Sequence, residues 1–218
     1  MPAVKIFQQL RDRVMKSGGL LPEEKRAMFW FKNYADELDW WQAKYTKLTY
    51  DRLAKQTFTK QIVGPTMAYP GFFYFFMYDA KLKQTLPYWD KFPFVLVLHV
   101  QKDRFLGLNF HYLDYSHRAR FFDALYRYRE GRTPTKSEDR SMVRDIRMRM
   151  RVTYAILKYT TKYKAFKPCI KCYLKSHIKS PLMKVGAKEW DVALFLPVER
   201  FQKETKTAVW AESNRKIK

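Results

Sequence analysis

The sequence contains little cysteine and no long apolar run, and these two absences exclude several classes of protein. Its 218 residues include only two cysteines, Cys169 and Cys172, so no disulfide framework is expected and a reducing cytoplasm is the simplest setting. The most apolar run, residues 92–100, is far shorter than the ~20 residues that cross a bilayer. The first residues also lack the apolar core of a secretion signal. We therefore expect no membrane partner.

Residue groups that would support catalysis are missing as well. Metal-dependent nucleases need clustered carboxylates, whereas Asp79-Ala80-Lys81 matches only half of an acid-x-Lys signature. The sequence has no glycine-rich phosphate loop and no Ser-His-Asp set. Cys169 and Cys172 form a CxxC without a second one, so two half-buried helix thiols are favoured over a three-ligand zinc site with His177. We expect no catalytic residue, metal or cofactor, and a protein that is not an enzyme.

Acidic residues are absent from one long stretch. Residues 146–188, which lie between Asp145 and Glu189, contain twelve Lys and Arg and not one Asp or Glu. The whole chain has 43 basic and 21 acidic residues, a formal net charge of +22. Such self-repulsion destabilises a compact state, and a polyanionic partner relieves it. Since 47% of the residues are apolar, a disordered basic tail is excluded, and a folded nucleic-acid-binding protein is the leading hypothesis.

Residues 1–61 have the pattern of a helical N-terminal segment. A short amphipathic helix is predicted from Val4 to Lys16, where Ser17-Gly18-Gly19 ends it. No glycine or proline occurs between Glu23 and Gln61, and aromatic residues recur there at helical spacing. This segment either packs on the rest of the chain or forms an arm that grips a neighbouring subunit.

Residues 62–198 are predicted to form a single α+β core domain. Three runs rich in aromatic and β-branched residues are typical of strands. They are residues 72–78, 93–100 and 104–113. We expect a small antiparallel sheet or partial barrel at about residues 70–113, flanked by the N-terminal helical segment and a basic helical half at 114–198. Residues 199–218 resemble a loosely packed basic tail.

The basic half is predicted to form helices that carry a phosphate-binding surface. The helices are expected at residues 117–130, 138–159, 167–178 and 187–197. On a helical wheel, the cations of the second helix form one ridge, and lysines recur every four residues in the third. Like charges at this spacing are unfavourable in isolation, which favours polyanion binding over the alternative of a solvated face. The predicted DNA-binding residues are Arg140, Arg144, Arg147, Arg151, Lys158, Lys162, Lys164, Lys167, Lys171, Lys175 and Lys179.

Aromatic residues lie between the two predicted ridges. Tyr159, Tyr163 and Phe166 could stack on bases at a strand terminus, because aromatic rings and cations together suit unpaired bases. Ordinary core packing is the alternative for the same three residues. Phosphate contacts position a protein without specifying sequence, so no base preference is expected.

Four long strings resemble a known protein family. They are MYDAKLKQTLPYWDKFPFVLVL, FLGLNFHYL, FKPCIKCYLKSHIKS and EWDVALFLPVERFQK. In this order, over about residues 69–205, they resemble the DNA end protector (head completion) proteins of T4-like tailed bacteriophages. One departure is Asp114-Tyr115, which stands where that family leads us to expect a proline-rich turn.

The resemblance implies a virion protein that binds the ends of the packaged linear genome. Such a protein enters the host cytoplasm with the DNA, blocks host exonuclease V and acts in completing the head. Its expected partners are double-stranded DNA ends and head, portal or neck proteins, and a homo-oligomer is left open. Two other classes remain alternatives: a structural neck, portal or baseplate component without end binding, and a metal-dependent nuclease.

Overall fold

The computed structural model describes residues 6–16, 25, 62–63, 68–130, 166–185, 193–195 and 201–217. This part of the chain contains the helices α1 (Ile6–Lys16), α2 (Tyr115–Glu130) and α3 (Lys206–Ile217). Its strands are β1 (Ile62–Val63), β2 (Phe73–Phe75), β3 (Trp89–Asp90), β4 (Phe94–Val100), β5 (Arg104–Asn109), β6 (Ile170–Leu174), β7 (Leu182–Val185) and β8 (Phe201–Gln202).

Six of these strands form one antiparallel sheet. Their order is β1-β7-β2-β4-β5-β6, while β3 and β8 pair separately as a second, two-stranded sheet. The predicted β4–β5 hairpin is confirmed. The sheet is larger than expected, because β6 and β7 come from the half of the chain that was predicted to be helical.

The hairpin requires a glycine at its centre. The hairpin loop closes with the Gln101 N–H donating to the Arg104 carbonyl oxygen at 2.8 Å. Further along β5, a Cβ atom at Gly107 would lie 2.0 Å from Val95 Cγ1 and 3.1 Å from the Leu96 carbonyl oxygen. The two strands can therefore approach this closely only when position 107 has no side chain.

Both faces of the sheet are buried. Along β4, Phe94 and Leu96 join the core cluster that includes residues of α1 and α2. The alternating residues Val95 and Val97 belong to a second core cluster on the opposite face. Aromatic packing is dense on the helix side, where the rings of Phe73 and Phe94 stack with centroids 5.2 Å apart. The nearly continuous apolar sequence of β4 is what a strand buried on both sides requires.

Helix α1 is fixed by a buried carboxylate of α2. The backbone N–H groups of Phe7 and Gln8 donate to Asp123 Oδ1 and Oδ2 at 2.9 and 3.2 Å. Because the first N–H groups of a helix have no partner within it, Asp123 serves as their cap from a distant part of the chain. The predicted N-terminal amphipathic helix is confirmed for residues 6–16.

A buried polar network lies where β3 meets the end of β5. Asp90 Oδ2 accepts from the Asn109 side-chain amide at 2.9 Å and lies 2.7 Å from His111 Nδ1. The same amide donates to the Tyr173 hydroxyl at 3.1 Å. His111 is fully buried. Its Nδ1 is paired with the Asp90 carboxylate, which offsets the cost of burying that nitrogen.

The C-terminal residues form a packed helix. In α3, Val209 is fully buried, and the Trp210 indole N–H donates to the His111 carbonyl oxygen at 2.8 Å. The Tyr88 hydroxyl donates to Glu212 Oε2 at 2.7 Å. The expectation of a loosely packed tail is therefore wrong, because α3 closes one side of the core.

The predicted α+β class is confirmed. Leu194 and Phe195 are buried. The predicted helix at 138–159, and all of 23–61 except Lys25, lie outside the described residues. The division of the chain into domains stays a prediction.

Candidate nucleic-acid interface

Most of the predicted DNA-binding residues lie outside the described part of the chain. These are Arg140, Arg144, Arg147, Arg151, Lys158, Lys162 and Lys164, together with the aromatic residues Tyr159 and Tyr163. Their arrangement as a ridge stays a prediction. Four predicted lysines and one predicted aromatic residue are described.

The four described lysines do not share an α-helix, so the predicted helix at 167–178 is wrong. Residues 167–177 instead form a 3-10 turn, the strand β6 and a second 3-10 turn, at Lys167–Cys169, Ile170–Leu174 and Lys175–His177, and Lys179 follows them. Pairing with β5 is the physical reason, because it satisfies backbone groups of both strands and buries Tyr173. The lysines consequently have different surroundings.

Lys171 packs against an aromatic residue of the fold. Its side chain is partly buried, and its Nζ lies 4.2 Å from the centroid of the Tyr112 ring. Burial lowers the pKa of Lys171, because a charged ammonium loses hydration there. The aromatic face compensates part of that loss.

Lys175 joins the end of β6 to the β4–β5 hairpin loop. Its Nζ donates to the carbonyl oxygens of Gln101 at 2.7 Å and Lys102 at 3.2 Å. Its backbone N–H donates to the Asp103 carbonyl oxygen at 2.9 Å. An ammonium has three N–H donors, so one remains for an outside acceptor. Lys167 and Lys179 are both exposed.

Phe166 packs against the core. Its ring centroid lies 6.0 Å from that of Phe121 and 6.1 Å from that of His117, both in edge-on geometry. It is one of the partly buried residues that cover the main core cluster. This packing favours the core role for Phe166 over base stacking.

A second group of cations lies on the loop formed by residues 79–86. The loop is anchored beside the segment that follows β6: the Asp79 N–H donates to the His177 carbonyl oxygen at 3.0 Å. In return, His177 Nδ1 donates to the Asp79 carbonyl oxygen at 2.9 Å. Lys81 and Lys83 are exposed on this loop, which places them close to the segment that contains Lys179.

We call these three neighbouring stretches, residues 79–86, 101–104 and 175–179, the basic loop cluster. They contain six Lys and Arg and two Asp, a net charge of +4 with His177 neutral. Both acids are held by cations of their own loops. Lys83 Nζ lies 3.0 Å from Asp79 Oδ1, and Arg104 Nη2 lies 3.0 Å from Asp103 Oδ2.

Three exposed lysines of the cluster have no acidic partner among the described residues. They are Lys81, Lys102 and Lys179. The hydrogen bond from Arg104 lowers the pKa of Asp103, so that carboxylate stays ionised and occupied by its neighbour. The cluster is thus a positive surface whose own acids are already paired, which suits contacts with phosphate.

Metal and thiol chemistry find no support in the described residues. No group of three or more His, Cys, Asp or Glu is placed to hold a metal ion there. The two thiols do not converge: Cys169 is buried, which raises its pKa to about 11, whereas Cys172 is exposed on β6. The carboxylate of the Asp79-Ala80-Lys81 triplet is paired with Lys83.

No described helix combines the length and the apolar character that crossing a membrane requires.

Lys175 and Lys179 of this cluster are among the residues predicted from the sequence to bind DNA, whereas Lys81 and Lys102 are not. The signal for the missing residues was weak, because they stand in short loops far along the chain from the acid-free stretch. Only the fold brings the three loops together.

Comparison with known protein families gives a match. A family model described as phage T4 terminal DNA protecting protein matches residues 7–215. No curated protein and no solved structure matches the chain. The matched range includes every described helix and strand except the ends of α1 and α3. The chain therefore belongs to the family of phage T4 terminal DNA protecting proteins.

Proposed function

We propose that this protein binds the two ends of the linear phage genome and shields them from host exonuclease. Membership of the terminal DNA protecting family is the observation that carries the proposal. The basic loop cluster supports it physically, because three exposed lysines there lack acidic partners among the described residues. The basic residues predicted at 140–164 extend the phosphate-binding surface in this proposal.

The same role implies where the protein acts and which proteins it contacts. The protein acts in the virion, with the packaged DNA at the head or neck, and enters the host cytoplasm with that DNA. Head, portal or neck proteins are its proposed partners, and it contributes to completing the head. Binding rather than catalysis is its proposed activity.

The electrostatic part is tested by the salt dependence of DNA binding. Affinity for a blunt linear duplex is measured by fluorescence anisotropy over a range of salt concentrations. Each lost phosphate contact reduces the slope of log K against log salt by about 0.9. For the double variant Lys81→Gln/Lys179→Gln we expect weaker binding and a slope lower by about 2.

A matched control removes two charges elsewhere. Arg13 and Lys16 are exposed on α1, whose partner helix α2 packs on the sheet face opposite Val95 and Val97. Arg13→Gln/Lys16→Gln should keep the wild-type slope. Equal losses in both double variants would mean that net charge alone drives binding, and an unchanged slope in the Lys81/Lys179 variant would move the DNA site away from the basic loop cluster.

A further inference from the structure

The most exposed large apolar side chain among the described residues belongs to the 79–86 stretch of the basic loop cluster. Leu82 is 60% exposed, compared with 41% for Tyr69, 39% for Ile6 and 37% for Leu106. Its neighbours in sequence, Lys81 and Lys83, are both exposed cations. An exposed apolar side chain between two cations suits a partner that is anionic and also presents an apolar face.

The loop that carries Leu82 is held by its own hydrogen bonds. The Leu82 carbonyl oxygen accepts from the backbone N–H groups of Thr85 at 3.1 Å and Leu86 at 2.9 Å. It also accepts from the Thr85 hydroxyl at 3.2 Å. The side chain is therefore presented outward by a closed turn, and little ordering is needed when it binds.

A lysine from the far end of the chain fixes the same loop from outside. Lys203 Nζ donates to the carbonyl oxygens of Gln84 at 3.0 Å and Leu86 at 3.1 Å. Lys203 itself has a φ of 73°, a backbone conformation that residues other than glycine rarely adopt. The residue with this unusual backbone conformation is therefore the one whose side chain holds the Leu82 turn through two hydrogen bonds.

We propose that Leu82 packs on the exposed face of the terminal base pair of duplex DNA, while Lys81 and Lys179 contact the flanking phosphates. This inference rests on the proposed function. Along the side of a duplex, charged phosphates line the surface, whereas at a terminus the last base pair presents an uncovered apolar face. Apolar side chains such as leucine are known to pack against base pairs when DNA stacking is interrupted.

The test compares two DNAs with the same duplex sequence and length. One is a blunt linear duplex, and the other is closed at both ends by hairpin loops that cover the terminal base pairs. The measured quantity is the ratio of the two affinities for wild type, Leu82→Ala and Leu106→Ala. Leu106 is a matched control, because it is an exposed leucine on strand β5 outside the basic loop cluster.

We expect wild type and Leu106→Ala to prefer the open duplex equally. Leu82→Ala should lower that preference about tenfold, the change expected when the complex no longer buries one leucine side chain. A 2-aminopurine at the terminal position should change its fluorescence with wild type more than with Leu82→Ala. A wild-type protein without any preference for open ends would overturn the proposed function. A wild-type preference that Leu82→Ala retains in full would overturn only the role of Leu82.

Discussion

The imidazole of His111 and the carboxylate of Asp90 face each other inside the protein, with Nδ1 and Oδ2 2.7 Å apart. Asp90 also accepts from the Phe92 N–H at 3.0 Å and from the Asn109 side chain at 2.9 Å. One buried carboxylate thus serves three donors that come from two separate parts of the chain. It joins the small β3–β8 sheet to the end of β5.

Removing this acceptor should destabilise the fold. In Asp90→Ala three buried donors lose their partner, and we expect the free energy of unfolding to fall by about 3 kcal/mol or more. Urea denaturation followed by circular dichroism measures the change. Asp103→Ala is the control, because that carboxylate is exposed and should leave the denaturation midpoint nearly unchanged. Equal midpoints for Asp90→Ala and wild type would contradict the importance of this network.

A side chain at position 107 should force β4 and β5 apart. Gly107→Ala places a Cβ atom 2.0 Å from Val95 Cγ1, so we expect a loss of about 1–3 kcal/mol in stability. The double variant Gly107→Ala/Val95→Ala removes the clashing atom. It should lose less stability than the two single variants added together, and a double-mutant cycle measures the difference. Simple additivity would show that the clash is relieved elsewhere.

Acid should lower the free energy of unfolding, in part because Asp114 becomes protonated. Burial by itself would raise the pKa of this carboxyl, but hydrogen bonds from the side chain and backbone of His117, and from Asn214, outweigh burial and lower the pKa. In the unfolded chain the pKa returns to about 3.9. The unfolded state therefore binds a proton that the folded state does not, so stability from Asp114 is present above about pH 4 and is lost as the pH falls towards the folded value.

The variant Asp114→Asn isolates this contribution. Asparagine can still accept from the His117 N–H at the start of α2, so the helix cap is kept. Between about pH 5 and about pH 3, Asp114→Asn should lose less stability than wild type, measured by urea midpoints at each pH. Parallel losses in the two proteins would mean that Asp114 is not responsible.

The local patterns that predicted structure correctly were those reinforced by tertiary contacts. The β4–β5 hairpin was predictable, because its apolar runs and the polar loop at 101–103 all favour one arrangement. The departure at Asp114 is also explained: the side chain accepts from the His117 N–H at 2.8 Å and begins α2. Asp114 is therefore a helix-capping residue at the position where a proline-rich turn was expected.

Two elements could not be predicted, because their causes are distant in sequence. The lysines at 167–179 recur at a spacing that fits a helix, but β5 supplies a partner that makes residues 170–174 a strand. Helix α3 has a weak apolar stripe of its own and is fixed by contacts such as that between Trp210 and His111. The basic loop cluster depends on the same long-range pairing, so only two of its lysines are among the residues predicted to bind DNA.

The most direct test of end protection is a competition between linear and covalently closed DNA. An end-labelled linear duplex is exposed to an exonuclease that requires a free terminus, with the protein at a few copies per DNA molecule. Unlabelled linear DNA or closed circles of the same length are added as competitors. We expect a few copies to protect the labelled ends, and linear competitor to remove this protection much more effectively than circles. If circles compete as well as linear DNA, the protein binds the phosphate backbone without recognising ends, and end protection by end recognition is wrong.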